Sequence, residues 1–116
     1  MKIAGKVFVL TGGGSGIGRE LVLALLAKGA KVAALDIRKE GLEETLALVP
    51  QELQQNVSLH VLDVTDRAKV QALPAKIIKQ HGAVDGLINN AGIIQPFVPF
   101  NDLDYAAIEH VLNVNL

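Results

Sequence analysis

The chain has 116 residues, a formal net charge of −1 and no cysteine. Its length allows a single domain, its charge gives no electrostatic reason to bind nucleic acid or an anionic membrane, and disulfide and thiolate chemistry are excluded. The longest apolar run, residues 21–27, is far shorter than the roughly 20 residues of a membrane span, and Lys6 interrupts any leader-like stretch. We therefore expect a cytoplasmic protein that does not enter membranes.

Short apolar runs alternate with helix-forming segments along the chain. The predicted strands are 6–10, 31–35, 57–62 and 84–89, and the predicted helices are 17–28, 42–53 and 66–80, with a last helix from 102 onward. Strands that alternate with helices imply right-handed crossovers and a parallel sheet covered on both faces. The sequence thus predicts an α/β, doubly wound fold with strand order 3-2-1-4.

Single residues predict how the helices begin and end. Gly29 follows the first helix, where a left-handed residue would end it, and Gly82 comes after the end of the third. Thr65 is placed to cap the start of the third helix, and Pro74 in its interior predicts a kink or an early end. The segment 96–99 is predicted to be a loop.

A glycine-rich segment, Thr11-Gly12-Gly13-Gly14-Ser15-Gly16-Ile17-Gly18, connects the first predicted strand to the first predicted helix. Glycines in this context permit a tight turn and a close approach of backbone to ligand, so that the amides at the helix start can hold a pyrophosphate. The residues predicted to bind a cofactor here are Gly12, Ser15, Gly16, Ile17 and Gly18.

Other nucleotide-binding motifs compete for the same glycines. The glycine spacing of 13–18 is that of a P-loop, but Arg19-Glu20 stands where lysine and serine or threonine would contact phosphate and magnesium, which disfavours NTP hydrolysis. The glycines at 12, 14 and 16 also form a G-x-G-x-G run that resembles that of methyltransferases using S-adenosylmethionine. The glycines alone leave that enzyme class open.

Asp36 closes the second predicted strand, eighteen residues after Gly18. At this spacing a carboxylate accepts hydrogen bonds from the adenosine ribose hydroxyls and repels a 2′-phosphate. Arg38 could instead attract such a phosphate, and either side chain could simply be a solvated surface charge. We favour NAD over NADP, and we include the adjacent Ile37 among the cofactor-binding residues.

With these motifs in place, the sequence resembles the short-chain dehydrogenase/reductase family over its whole length. Asn89-Asn90-Ala91-Gly92 matches the family's NNAG signature, Asp63-Val64 is similar to its adenine-contacting pair, and Asn113-Val114-Asn115-Leu116 resembles its helix segment with a catalytic asparagine. The resemblance implies a Rossmann fold, contacts to the cofactor from Asp63, Val64, Asn90, Ala91 and Gly92, and a catalytic role for Asn115. Ser15 occupies a position where NADP-preferring relatives often carry a basic residue, which again favours NAD.

The resemblance also implies an NAD-dependent oxidoreductase that moves hydride between nicotinamide and an alcohol or carbonyl substrate, assembled as a dimer or tetramer. The family's catalytic serine and Tyr-x-x-x-Lys pair have no match here, because Glu109 follows the single tyrosine, Tyr105, at the lysine position. We therefore expect residues 1–116 to be one cofactor-binding domain, cut before the catalytic segment and inactive by itself.

A second hypothesis is a non-catalytic module that senses nucleotides or binds a partner and has lost the chemistry. An intact mass near 12.3 kDa in the source cell would favour the module, whereas about twice that mass would favour a truncated dehydrogenase. His60, His81 and His110 show neither metal-ligand spacing nor an adjacent nucleophile, so we predict no metal site.

Overall fold

The computed structural model describes residues 3–63 and 65–90. Within them, parallel strands alternate with helices, and a short 3-10 helix follows the second α-helix. The elements are β1 Val7–Thr11, α1 Gly16–Ala27, β2 Lys31–Asp36, α2 Lys39–Ala47, the 3-10 helix Gln51–Asn56, β3 Val57–Val61, α3 Arg67–His81 and β4 Gly86–Asn89.

The sheet has the strand order β3-β2-β1-β4, and each neighbouring pair is parallel. The chain moves outward from β1 through β2 to β3 and then crosses to the other side of β1 to form β4. This reversal leaves a crevice at the carboxyl ends of β1 and β4, where ligands bind in folds of this type. The predicted α/β, doubly wound fold and its strand order are confirmed.

Both faces of the sheet are covered, because successive side chains of a strand point to opposite faces. Phe8 and Leu10 of β1 pack with the side chains of α1 and α2, whereas Val7 and Val9 pack with those of α3. All five residues of β1 are buried, which agrees with a central strand of a parallel sheet. The packing on both sides fixes the carboxyl end of β1, from which the glycine-rich turn departs.

The predicted helix 42–53 is wrong in its bounds, since α2 ends at Ala47 and residues 51–56 form the 3-10 helix. Pro50 explains the break, because proline has no N–H to donate and disfavours helical geometry in the residue before it. Val49 is nevertheless buried and Leu53 packs against the same core. The apolar spacing therefore indicated burial correctly, although the backbone is not one continuous helix.

The start and course of α3 also differ from expectation. Asp66, not Thr65, is the N-cap, and its side chain accepts a hydrogen bond from the Lys69 amide at 3.3 Å. The helix continues past Pro74 to His81, so the predicted early end is wrong. Buried side chains on both sides of the proline hold the helix to the sheet and offset the one lost backbone hydrogen bond; they are Val70, Leu73 and Ile77.

The left-handed residue predicted at Gly29 is confirmed by its φ of +90°, and Gly82, which follows α3 as predicted, has φ of +91°. The strands agree with prediction to within one or two residues. The loop predicted at 96–99 and the helix predicted from 102 lie outside the described residues. None of the helices that the structure describes is long and apolar enough to cross a membrane.

Candidate dinucleotide-binding site

The glycine-rich turn depends on glycine for two separate reasons. Gly12 and Gly16 have φ of +73° and +55°, a backbone conformation that favours glycine. Gly18 is buried in the first turn of α1, where a Cβ atom would collide with the Gly12 carbonyl oxygen and lie 2.6 Å from Asn90 Nδ2. The turn and the first turn of α1 therefore pack together with no room for a side chain.

The start of α1 presents amides that the helix itself does not use. The N-cap residue Ser15 is extended, and its side chain makes no capping hydrogen bond. The Arg19 amide donates to the Ser15 carbonyl at 3.2 Å and is the first helical donor, so the amides of residues 16–18 have no acceptor within the helix. Of these residues, Gly16 and Ile17 are exposed and Gly18 is buried. A Cβ atom at Gly16 would meet no described atom within 4 Å. This open helix N-terminus is suited to binding an anion.

Asp36 lies beside this turn, at the carboxyl end of β2. Its Oδ2 accepts a hydrogen bond from the Gly14 amide at 2.8 Å, and its Oδ1 accepts one from the Arg38 amide at 3.1 Å. The Gly13 amide donates to the Leu35 carbonyl at 2.9 Å, so the amides of both central glycines are bound within the protein. The amides open to a ligand are therefore those of the helix start. Ile37, next to Asp36, is 62% exposed.

The end of β4 is bonded to the end of β1 through the Thr11 side chain. Thr11 Oγ1 donates to Asn89 Oδ1 at 2.8 Å and accepts from the Asn90 amide at 2.8 Å. The Asn90 side chain lies next to Gly18, so the asparagine pair borders the glycine-rich turn. The remaining predicted site residues at 64, 91, 92 and 115, namely Val64, Ala91, Gly92 and Asn115, lie outside the described residues.

Asp63 is exposed and follows β3 at the same edge of the sheet. Its Oδ1 accepts hydrogen bonds from Thr65 Oγ1 at 2.7 Å and from the Thr65 amide at 2.9 Å. These bonds lower the pKa of the Asp63 carboxyl below its ordinary value, and the bond from the Thr65 hydroxyl has the larger effect. Asp63 is thus held as a carboxylate, and its geometry is set by the residue that was predicted to cap α3.

A polar network that the sequence did not predict joins the turn to α2. Arg19 Nη2 donates to the Gly14 carbonyl at 2.5 Å and to Glu44 Oε1 at 3.0 Å, while Arg19 Nε donates to Thr45 Oγ1 at 3.0 Å. The guanidinium that stands in place of a P-loop lysine is therefore bound within the protein. A glycine in the interior of α2 was the one sign in the sequence that another segment packs closely against this helix. A Cβ atom at Gly41 would lie 2.7 Å from the Gly14 carbonyl oxygen.

A glycine-rich turn that leads into a helix at a doubly wound parallel sheet, with an acid at the tip of the adjacent strand, defines a Rossmann-type dinucleotide-binding domain. A family model described as short chain dehydrogenase matches residues 6–116. The chain therefore belongs to the short-chain dehydrogenase/reductase family, as the sequence motifs indicated. In the described residues, no group of three or more His, Asp, Glu or Cys side chains is placed to hold a metal ion.

Curated relatives match nearly the whole chain. The chain is 41% identical over 116 residues to (+)-borneol dehydrogenase 1 of Salvia officinalis, covering 99% of this chain and 43% of that protein. It is 39% identical to the 3-oxoacyl-[acyl-carrier-protein] reductase FabG of Thermotoga maritima, covering 100% of this chain and 46% of that protein. The chain thus spans less than half the length of these relatives.

Solved structures agree with the fold. Levodione reductase superposes with a TM-score of 0.70 at 37% identity, covering 97% of this chain and 44% of that one. Carveol dehydrogenase from Mycobacterium avium in complex with NAD superposes with a TM-score of 0.74 over 98% of this chain and 49% of that one, and at 24% identity it supports the fold alone. The comparisons support neither the methyltransferase nor the non-catalytic module.

Proposed function

We propose that this chain is the cofactor-binding part of an NAD-dependent oxidoreductase that transfers hydride between nicotinamide and an alcohol or carbonyl substrate. One observation carries the proposal: the open amides at the start of α1 lie on the same turn as the Gly14 amide that binds the Asp36 carboxylate at 2.8 Å. A donor set for a pyrophosphate and an acceptor for a sugar are thereby brought to one crevice.

In this proposal, the amides of Gly16, Ile17 and Gly18 bind the pyrophosphate, and Gly12 and Ser15 shape the turn that presents them. Asp36 accepts hydrogen bonds from the adenosine ribose, with Ile37, Asp63 and Val64 around the adenosine. Asn90, Ala91 and Gly92 border the nicotinamide-ribose side. The bound nicotinamide would supply or accept the hydride, and the protein's contribution is to position it.

NAD is favoured over NADP because the carboxylate at the tip of β2 would repel a 2′-phosphate. A relative supports a nicotinamide cofactor in general, since a 3-ketoacyl-(acyl-carrier-protein) reductase from Brucella melitensis, 28% identical, was solved with NADH. Arg38 is exposed and is the residue that would favour NADP instead.

The catalytic part of the proposal rests on family resemblance. Asn115 would support a proton-relay water, and the serine and Tyr-x-x-x-Lys pair would come from sequence that follows residue 116 in the natural gene. The parent enzyme would be a cytoplasmic homo-oligomer. Reading the next eighty or so codons of the natural gene tests this directly, because the catalytic motif is either encoded there or not.

The cofactor preference is tested by titrating the natural protein with NADH and NADPH, using fluorescence and calorimetry. Asp36→Ala should lower the affinity for NADH by about tenfold, because a charged hydrogen-bond acceptor is removed. It should lower the affinity for NADPH much less. Glu52→Ala, which removes an exposed acid from the 3-10 helix, is the matched control and should change neither affinity. An unchanged preference in Asp36→Ala would remove this role from Asp36, and a wild type that binds neither nucleotide would contradict the proposed function.

A further inference from the structure

Thr45 is a fully buried polar residue in the interior of α2. A helical threonine commonly bonds the carbonyl four residues earlier, and Thr45 Oγ1 does lie 3.1 Å from the Gly41 carbonyl oxygen. Its shorter contact, at 2.7 Å, is with the carbonyl oxygen of Gly13 in the glycine-rich turn. A hydroxyl carries one hydrogen, so the geometry favours donation to the turn.

The peptide group between Gly13 and Gly14 is held at both ends. Its carbonyl oxygen accepts from Thr45 Oγ1, and its N–H donates to Asp36 Oδ2 at 2.8 Å. A peptide group is planar, so fixing the direction of its carbonyl also fixes the direction of its N–H. Thr45 thereby helps to fix the direction of the amide that binds the Asp36 carboxylate.

The hydrogen bonds form a directed series between two opposite charges. Arg19 Nε donates to Thr45 Oγ1 at 3.0 Å, the Thr45 hydroxyl donates to the turn, and the turn donates to the Asp36 carboxylate. Hydrogen bonds in such a series polarise and strengthen one another. The two glycines contribute no side chain that could hold the turn in its place, so its orientation depends on hydrogen bonds. Besides this series, the Gly13 amide donates to the Leu35 carbonyl and Arg19 Nη2 donates to the Gly14 carbonyl.

We propose that Thr45 is a positioning residue for cofactor discrimination. Through the Gly13–Gly14 peptide it holds the Asp36 carboxylate in the orientation that accepts ribose hydroxyls and repels a 2′-phosphate. The inference rests on the proposed function, because it requires Asp36 to face the ribose. Without the Thr45 hydroxyl, the Gly13–Gly14 peptide is held only by its remaining bonds, and the Asp36 carboxylate is fixed less firmly. This weakens the binding of NAD and reduces the repulsion of NADP.

A merely structural role for Thr45 would lower stability without changing cofactor preference. The test therefore compares Thr45→Val, which keeps the shape and removes the hydroxyl, with Thr45→Ser, which keeps the hydroxyl. Ser58→Ala is the control, because it removes another buried hydroxyl, on the opposite face of the sheet from α2. Dissociation constants for NADH and NADPH and the melting temperature are measured for each variant of the full-length natural protein.

We expect Thr45→Val to lower the ratio of the NADPH to the NADH dissociation constant by about fivefold, as the loss of one well-formed hydrogen bond implies. Thr45→Ser should restore most of that ratio, and Ser58→Ala should leave it unchanged even if it melts earlier. A lower melting temperature of Thr45→Val with an unchanged ratio would overturn the inference and leave the proposed function standing.

Two further outcomes keep the test decisive. If Thr45→Val does not fold, Arg19→Met removes the donor to Thr45 Oγ1 from a side chain that is 22% exposed. It also removes the bond from Arg19 Nη2 to the Gly14 carbonyl, and since both bonds hold the turn, the ratio should shift in the same direction. An unshifted ratio in Arg19→Met would count against the inference. A wild type that binds neither nucleotide, or that prefers NADPH, contradicts the proposed function itself.

Discussion

At the scale of single residues, the turn between β1 and α1 uses glycine for both conformation and space. Gly12 and Gly16 have positive φ, whereas Gly14 and Gly18 lie against atoms that leave no room for a Cβ. A Cβ on Gly14 would lie 2.8 Å from Asp36 Oδ2, so the residue that donates to the carboxylate must also be small. A positive φ and a lack of space for a Cβ predict different losses of stability when the glycine is replaced.

Gly18→Ala should destabilise the protein by about 3 kcal/mol or more, because the Cβ would meet a backbone carbonyl that has little freedom to move. Gly16→Ala should cost only about 1–2 kcal/mol, since the space there is open and the penalty comes from the left-handed backbone alone. Urea unfolding of both variants measures the difference. Gly16→Asn should recover part of the loss, as asparagine tolerates this conformation better. Equal costs for the two alanine variants would contradict the close approach at Gly18.

The glycines and Asp36 could be predicted from the sequence because each belongs to a local pattern at a strand end. Arg19 and Thr45 could not, since they are 26 residues apart and their contact depends on how α1 and α2 pack. From the sequence alone, Arg19 is informative only because it stands where a P-loop would have lysine. The asparagine pair was found through family resemblance, and its bonding to Thr11 emerges only when β4 pairs with β1.

At the scale of elements, helix ends depend on individual side chains. Asp66 caps α3, while Thr65 bonds back to Asp63. Both residue types favour N-caps, and the prediction of Thr65 was wrong by one residue. A single side chain also sets the end of α2. The apolar spacing of residues 42–53 correctly predicted which residues are buried, but α2 ends before Pro50.

Asp66→Ala should lower the free energy of unfolding by about 1 kcal/mol, because the Lys69 amide loses its capping acceptor. The measurement is the urea midpoint, with helical circular dichroism as the signal. Thr65→Ala is the neighbouring control and should cost less, since its amide can still donate to Asp63. A larger loss in Thr65→Ala would reassign the cap to the residue that the sequence analysis predicted.

At the scale of the whole molecule, a polar cluster of buried Ser58 and His81 and half-buried His60 joins the edge strand β3 to the end of α3. Ser58 Oγ lies 2.8 Å from His60 Nε2 and 2.8 Å from His81 Nε2. The hydroxyl carries a single hydrogen and donates to at most one ring, so at least one ring must donate to it. Burial, followed by the charges of His81 and Lys76, lowers the pKa of His60 to about 4. Burial and the charge of Lys31 lower the pKa of His81.

These shifts predict that the protein loses stability in mild acid. Between the ordinary pKa of 6.5 and about 4, the unfolded chain binds a proton at His60 and the folded chain does not, so stability falls as the pH decreases through this range. We expect a loss of about 1–3 kcal/mol between pH 7 and pH 4.5. Urea unfolding across that range measures it, and His60→Gln, which cannot titrate there, should show a shallower pH dependence. Identical slopes would mean that other groups cause the loss.

The architecture as a whole was predictable because few topologies satisfy the handedness of parallel crossovers. Three βα units followed by a fourth apolar strand lead to the order 3-2-1-4, and the structure has that order. The alternation of buried side chains within each strand then assigns α1 and α2 to one face and α3 to the other. The histidine cluster was not foreseen, because it joins residues from two elements that only the crossover brings together.

The close contact between Gly41 and the Gly14 carbonyl has a practical consequence for protein engineering. A Cβ at Gly41 would collide with the glycine-rich turn, and a Cβ at Gly14 would collide with α2 and with Asp36. The turn and α2 therefore depend on each other for their packing, although they are far apart in the sequence. Chimeras that import the glycine-rich turn of an NADP-dependent homologue should therefore import its residue at position 41 as well. Exchanging the loop alone is expected to yield insoluble protein more often than altered cofactor choice.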